Sequence, residues 1–451
     1  MLIPEKTKCA LVEKIKIMIK KIFKNIIVFL LRVEAKLILR RYKPKIIAVT
    51  GTVGKTSSKD AIYTILSPDF HVRKSEKSYN SELGVPLTII GAKTAWNNFF
   101  EWFLILFKGI KLLIAKYDYP KWLVLEMGVD RPKDMKRLIS YVKPEIAVIT
   151  TLGEVPVHVE YFKNPEEVAK EKSRLAQAIK KEGHVILNAD DNLSLSIREK
   201  VKAKILTFGF SDEADLTASN YHIVYKKEGD QDIPEGITFK VDYKGNIIPV
   251  RLFNIFGKQA VYTALSSMAV ATAMGMNLVE TAEALSRYKP PAGRLRLLEG
   301  IKNTFILDDS YNSSPIAVQA ALEVLAEIPA KRKIVVLGDM LELGKFTIDE
   351  HKKIGKSLKK LANYIFAVGP RAKFIAEEAR QNGFKENYIF EFSTADEAKM
   401  EVQKKIKEGD LILIKGSQSM KMEKITEEIM AHPENKEELL VRQELEWQNK
   451  C

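Results

Sequence analysis

The sequence predicts an α/β fold in two units, the first built on a mainly parallel, doubly wound sheet. Short apolar runs alternate with helix-patterned stretches along most of the chain, the rhythm of strand–helix–strand units. The first of these runs ends in a glycine-containing turn that opens a helix. The rhythm breaks at Pro290-Pro291-Ala292-Gly293-Arg294 and restarts beyond it, so this breaker cluster reads as a linker. A chain of 451 residues is too long for a single core. Its 46% apolar and 29% charged residues are the balance of a globular protein.

Residues 1–44 come first, as a basic helical extension. Residues 1–45 hold 13 Lys/Arg and 3 Asp/Glu, so most of the net charge of +14 sits in a tenth of the chain. A nucleic-acid-binding protein more often carries its basic face on the folded domains, and no nucleic-acid partner is expected. Lysines run through the apolar positions and no small-residue cleavage site follows, which excludes an ordinary signal peptide. The uninterrupted apolar run 26–31 is too short for a membrane span. Ile15, Ile19, Ile22, Ile26, Phe29 and Val33 recur at helical spacing with lysines between them. That pattern suits a basic amphipathic helix, lying on an anionic membrane surface or docked on its own protein. Cys9 and Cys451 share no motif spacing, which fits a reducing, cytoplasmic setting, and the basic helix adds the expectation of a place at the inner membrane face.

The unit 45–291 opens with a strand at 46–49 and a helix over 55–66. Further strands are predicted at 122–125, 146–150, 185–187 and 205–208, with a helix from 165 to 181. An aromatic segment, 95–119, interrupts this order with Trp96, Phe99, Phe100, Trp102, Phe103 and Phe107, then Lys108, Lys111 and Lys116. It reads as an interfacial helix or as a partner packed against the N-terminal helix. Short alternating strands follow over 216–256, then a helix over 260–274. The last unit, 292–451, has strand candidates at 304–307, 334–337, 364–368, 388–390 and 411–414.

The first chemical signal is Gly51-Thr52-Val53-Gly54-Lys55-Thr56, between a strand and a helix. Glycines let backbone N–H groups approach phosphates, Lys55 adds a positive charge, and the Thr56 hydroxyl can ligate magnesium. Val49 stands where the first glycine of the commoner phosphate loop would be.

With Val49, Thr50 and Ser57 included, this string resembles the ATP loop of the Mur ligase family. Later motifs resemble the family's in order. They are Ser78-Tyr79-Asn80-Ser81-Glu82-Leu83-Gly84-Val85-Pro86, Leu125-Glu126-Met127-Gly128, His158-Val159-Glu160, Ala169-Lys170-Glu171-Lys172 and Leu187-Asn188-Ala189-Asp190-Asp191. Beyond the linker, Ala292-Gly293-Arg294-Leu295, Asp308-Asp309-Ser310-Tyr311-Asn312, Gly338-Asp339-Met340-Leu341-Glu342-Leu343-Gly344 and Lys415-Gly416-Ser417 with Ser419 continue the set. These C-terminal strings resemble the branch that adds D-alanyl-D-alanine to a muramoyl-tripeptide.

The resemblance implies a P-loop ATPase-type central domain, a Rossmann-like C-terminal domain and an ATP-dependent ligase working through an acyl phosphate. It implies nucleotide contacts from Gly51, Thr52, Gly54, Lys55, Thr56, Ser57, Arg294, Asp309, Tyr311 and Asn312, with Asp309 on the ribose. Two magnesium ions are implied, one on Thr56 and Glu126, the other on His158 and a carbamylated Lys172. Lys55 and Arg294 would neutralise the transferring phosphate. Asn80, Ser81, Lys415, Ser417 and Ser419 would meet the small-molecule substrates, the muramoyl peptide and the dipeptide.

Three departures from the family pattern stand out. Relatives begin with a domain that grips the uridine nucleotide, whereas here 44 residues precede the first strand of the ATP unit. That motivates the expectation of a lipid-linked or otherwise membrane-held precursor. Gln259-Ala260 and Thr263 stand where the family has His-Asn and a second Asn before the following helix, and Gln418 stands where arginine is usual. The competing expectations are a ligase with another acceptor and an inactive membrane-attached homologue.

Overall fold

The computed structural model describes residues 5–444 and Trp447, apart from Asn97 and Asp230. It contains two sheets. The first has nine strands in the order β2-β3-β1-β4-β5-β6-β7-β8-β9. Its strands are β1 (Lys45–Thr50), β2 (Val72–Lys74), β3 (Trp122–Glu126), β4 (Ile146–Ile149), β5 (His184–Asn188), β6 (Lys204–Gly209), β7 (Leu216–Glu228), β8 (Gln231–Tyr243) and β9 (Asn246–Phe253). Pairing is parallel from β2 through β7 and antiparallel from β7 to β9. The central strands are buried along their length, as parallel strands covered on both faces must be.

The second sheet has the order β10-β11-β15-β12-β13-β14. It comprises β10 (Arg296–Gly300), β11 (Thr304–Asp309), β12 (Arg332–Gly338), β13 (Tyr364–Val368), β14 (Ile389–Phe392) and β15 (Asp410–Lys415). Only β10 runs antiparallel to its neighbour.

The helices that bear on the site are α1 (Glu5–Tyr42), α2 (Lys55–Leu66), α3 (Gly84–Ile90), α4 (Phe99–Ile114), α5 (Asp134–Ile139) and α6 (Pro165–Gln177). Local chemistry sets their starts. Asn164 accepts from the Glu167 N–H and Pro165 occupies the first turn of α6, while Asn98 caps α4 by accepting from Phe100 and Glu101.

Three differences from the sequence reading have physical causes. The region 216–256 forms long strands rather than short ones, because an irregularity between Ser219 and His222 bends β7 without ending it. The strands β2 and β10 went unread, the first being three residues long with two cations.

The third concerns α1. Ile22, Ile26, Phe29 and Val33 face solvent, whereas Ile27, Leu31, Ala35 and Ile38 are buried. The helix therefore carries two apolar stripes, and the one hidden among the other positions docks against the sheet layer. The side chains of Ile15 and Ile19, and Cys451, lie outside the described residues. The aromatic segment forms α4 and packs on α1, with Phe23 and Phe99 ring centroids 4.6 Å apart and the Tyr42 hydroxyl donating to Leu112 O at 2.8 Å. Among the described residues no helix is long and apolar enough to cross a membrane.

Candidate active site

The site begins where β1 ends. Gly54 has φ 86° at the N-terminus of α2, a conformation that other residues adopt only with strain, and a Cβ on Gly51 would overlap the Thr150 hydroxyl. The turn is therefore tight enough to aim its N–H groups along the start of α2. Lys55 folds back over this turn, donating to Gly51 O at 2.9 Å and Thr52 O at 3.1 Å. Burial lowers its pKa, a shift that the Glu126 carboxylate opposes.

From there one chain of contacts leads to the 78–80 loop. Thr56 donates to Glu126 Oε2 at 2.9 Å, and Asn80 Nδ2 donates to Glu126 Oε1 at 2.9 Å. Glu126 is buried at the end of β3, held by its backbone bond to Ser75 Oγ. A hydroxyl beside a buried carboxylate is a hard oxygen pair of the kind magnesium takes. Among the described residues, no three His, Cys, Asp or Glu side chains converge as a metal cluster. The expected magnesium sites draw on a hydroxyl and a lysine, which lie outside that ligand set.

Lys172 projects from α6 and is buried beneath the loop, donating to Thr52 Oγ1 at 2.9 Å. Burial first and Lys55 second hold its pKa well below the ordinary lysine range. His158, with φ 68°, lies elsewhere on the rim. Its Nδ1 is 2.6 Å from Glu342 Oε2 and its Nε2 is 3.3 Å from Asp130 Oδ1. Asp130 escaped the sequence reading, and Glu342 was read there only as part of the 338–344 string, with no role of its own. Asp130 sits close enough to act electrostatically on both Lys55 and Lys172, and its one signal is its place four residues past Glu126.

The second sheet supplies the opposite wall. A cleft is lined by Gly54 and Ser57 on one side, and by Arg294, Asp309 and Lys415 on the other. Gln259, Ala260 and Thr263 line its end, so the positions that depart from the family pattern face the same cleft. Lys415 donates to Asp309 Oδ2 at 2.7 Å and to Asn312 O at 2.9 Å. The Arg294 guanidinium lies 4.2 Å from the centre of the Tyr311 ring. Tyr311 in turn donates to Ser78 Oγ at 2.7 Å, joining the two walls. Nothing local in the sequence marks that bond.

Other expected residues have structural partners. Ser417 Oγ accepts from the Leu341 N–H at 2.9 Å, and Ser81 Oγ accepts from the Gly84 N–H at 3.3 Å at the start of α3. Ser419 is exposed in the turn after β15, where the Gln418 N–H meets Asn312 Oδ1 at 3.4 Å.

Two family models match this chain, the Mur ligase middle domain over residues 109–271 and the Mur ligase glutamate ligase domain over residues 293–418. The chain belongs to the Mur ligases. Its curated relatives include the UDP-N-acetylmuramoyl-tripeptide–D-alanyl-D-alanine ligase of Bacillus subtilis, 27% identical over 401 residues, covering 88% of this chain and 79% of the relative. The enzyme of the same name from Escherichia coli is 27% identical, covering 84% and 76%. Among solved structures, the MurF ligase of Thermotoga maritima in complex with ADP aligns with a TM-score of 0.71 at 24% identity, covering 89% of this chain and 83% of that one. MurF from Acinetobacter baumannii aligns with a TM-score of 0.72 at 24% identity, covering 88% and 79%. Both sheets of this Mur ligase thus have counterparts in those folds.

Proposed function

We propose that this Mur ligase is an ATP-dependent amide-bond ligase that adds D-alanyl-D-alanine to a muramoyl-tripeptide. The observation that carries the reading is one continuous site. The phosphate loop reaches the 78–80 loop through Thr56, Glu126 and Asn80, and the far wall through Ser78 and Tyr311. Curated relatives named for this reaction cover most of the chain.

A carboxylate does not condense with an amine at neutral pH. In the proposed reaction a peptide carboxylate oxygen takes the γ-phosphoryl group of ATP and ADP leaves. The dipeptide amine then attacks the acyl carbon, loses a proton, and expels phosphate as the amide forms. Phosphoryl transfer between anions needs cations held in advance. Lys55 supplies one from the loop and Arg294 another from the opposite wall. Asp309 would hold the ribose, with Lys415 setting its orientation. Asn80, and Ser81 beside it, would hold the peptide, while Ser417 and Ser419 border the dipeptide.

Thr56 and Glu126 would hold one magnesium ion, and His158 with a carbamylated Lys172 a second, supplying charge neutralisation at the phosphates and acyl group. Carbamylation requires a neutral amine, and the burial of Lys172 favours that form. The enzyme's expected place is the cytoplasm.

Phosphate release from ATP, assayed with UDP-MurNAc-tripeptide with and without D-alanyl-D-alanine, tests the reading. Release that needs both substrates, with a pentapeptide product by mass, supports it. Release driven equally by another amine, with no pentapeptide, overturns it.

A further inference from the structure

Two helices outside the catalytic cleft leave a large apolar surface uncovered. On α1, Ile26, Phe29 and Val33 are exposed on the side opposite the buried Ile27, Leu31, Ala35 and Ile38. On α4, Phe100, Phe103 and Phe107 are exposed on the side opposite the buried Trp102, Ile105 and Leu112. The two helices touch through Phe23 and Phe99 at one end and through Tyr42 with Leu112 at the other, so they run side by side in parallel. Single exposed apolar residues are ordinary, but an aromatic-rich face over two neighbouring helices marks a site of contact.

We propose that this face is a peripheral docking surface for an anionic phospholipid bilayer. Charge decides between a lipid and a second copy of the chain. Among the described side chains of the two helices, Lys24, Arg32, Lys36, Arg40, Arg41, Lys108 and Lys111 outnumber Glu34 and Glu101, so two copies apposed on this face would repel. Exposed Lys36, Arg40 and Lys111 flank the apolar stripes, and Lys111 sits 4.7 Å from the centre of the Phe107 ring. Arg32 similarly lies 5.6 Å from the Phe29 ring. Cations at the rim of an aromatic stripe meet headgroup phosphates while the rings enter the acyl boundary. Among the described side chains of the two helices, the acids are Glu34, enclosed between them, and Glu101, bonded to Asn98 at 3.0 Å. Among the described residues neither helix is both long and apolar enough to span, so the contact proposed is with one leaflet.

The same surface is tied to the substrate loop. The Thr94 N–H, in the connection from α3 to α4, donates to the Tyr79 hydroxyl at 3.0 Å. A docked α4 therefore holds the neighbourhood of Ser78 and Asn80 beside the lipid. The proposal stands whatever amide the ligase forms.

The test is flotation of the full chain with phosphatidylglycerol vesicles, with phosphatidylcholine vesicles as control. Two variants accompany it, I26E/F29E/F103E/F107E and K36Q/R40Q/K111Q. The expected result is flotation on phosphatidylglycerol, weak flotation on phosphatidylcholine, and release by about 0.5 M salt. Both variants should partition at least about tenfold less, with ATP turnover on soluble substrates unchanged. The charge variant keeps every apolar side chain, so it reports even if the glutamate variant misfolds. Failure of the full chain to float on phosphatidylglycerol, or equal flotation of the charge variant, overturns the proposal. A dimer by light scattering that the glutamate variant abolishes, without vesicle binding, also overturns it and assigns the face to a second copy.

Discussion

Tyr311 donates its hydroxyl hydrogen to Ser78 Oγ at 2.7 Å, linking a loop after β11 to the substrate loop before α3. Ser78 Oγ also lies 3.3 Å from Thr56 Oγ1, so the bond reports directly on the phosphate loop. The Tyr311 ring carries Arg294 on its face. One side chain thus positions a cation and closes the cleft.

Tyr311→Phe keeps the ring under Arg294 and deletes only the bond across the cleft. A half-buried neutral hydrogen bond contributes roughly 1 kcal/mol, so kcat should fall about three- to tenfold. The ATP dissociation constant, measured by calorimetry, should move by less than about twofold because the cation remains in place. Equal losses in ATP binding and kcat would show that the hydroxyl acts through the nucleotide instead.

Lys172 is the residue whose chemistry depends most on its surroundings. Replacing it with Met should leave the fold intact, since the position is buried and accepts an unbranched chain. Turnover should drop by about a hundredfold or more if a charged ligand is lost. Mass spectrometry of the native protein in bicarbonate should detect the carbamate, and turnover should fall when carbon dioxide is stripped from the buffer. Indifference to carbon dioxide would mean that Lys172 acts as an amine.

These residues also mark what the sequence discloses. The strand, turn and helix around Gly51–Ser57 were legible because glycine, lysine and threonine at that spacing have few structural uses. The start of α6 was legible at Pro165, whereas the caps Asn98 and Asn164 at the starts of α4 and α6 went unread although their capping is local. The docked stripe of α1 was not. Ile26 and Ile27 are equally apolar, and the sheet layer that covers Ile27 is built from residues far along the chain. Glu342 reaching His158 and Tyr311 reaching Ser78 are long-range contacts of the same kind.

Glu34 lies between α1 and α4, where a side chain on Gly109 would strike its carboxylate. Burial alone raises its pKa from 4.5 to about 7, with no charged partner to offset it. Because the folded value is the higher one, the protonated carboxyl suits the fold and ionisation opposes it. The associated stability is full below pH 4.5 and is lost as the pH rises through about 7. Glu34→Gln should therefore stabilise the protein at pH 8 by on the order of 1 kcal/mol after solvent screening. The advantage should vanish near pH 4.5, as read by melting temperature across that range. An advantage that is constant with pH would mean that charge at Glu34 is not the cause.

Asp309 and Lys415 form a buried pair at 2.7 Å, in which one partner is expected to hold the ribose. Deleting Asp309 alone strands the Lys415 ammonium, whose pKa burial already depresses. Asp309→Ala should then cost about 3–5 kcal/mol in stability, read as a fall in melting temperature. The double variant D309A/K415M removes both charges and should regain most of that loss, because well-packed apolar replacements of buried pairs are close to neutral. The KM for ATP separates structure from binding. If Asp309 holds the nucleotide, KM should stay raised by about tenfold or more in the double variant, despite its recovered stability. A KM that recovers together with the melting temperature would make Asp309 a structural partner of Lys415 and no more.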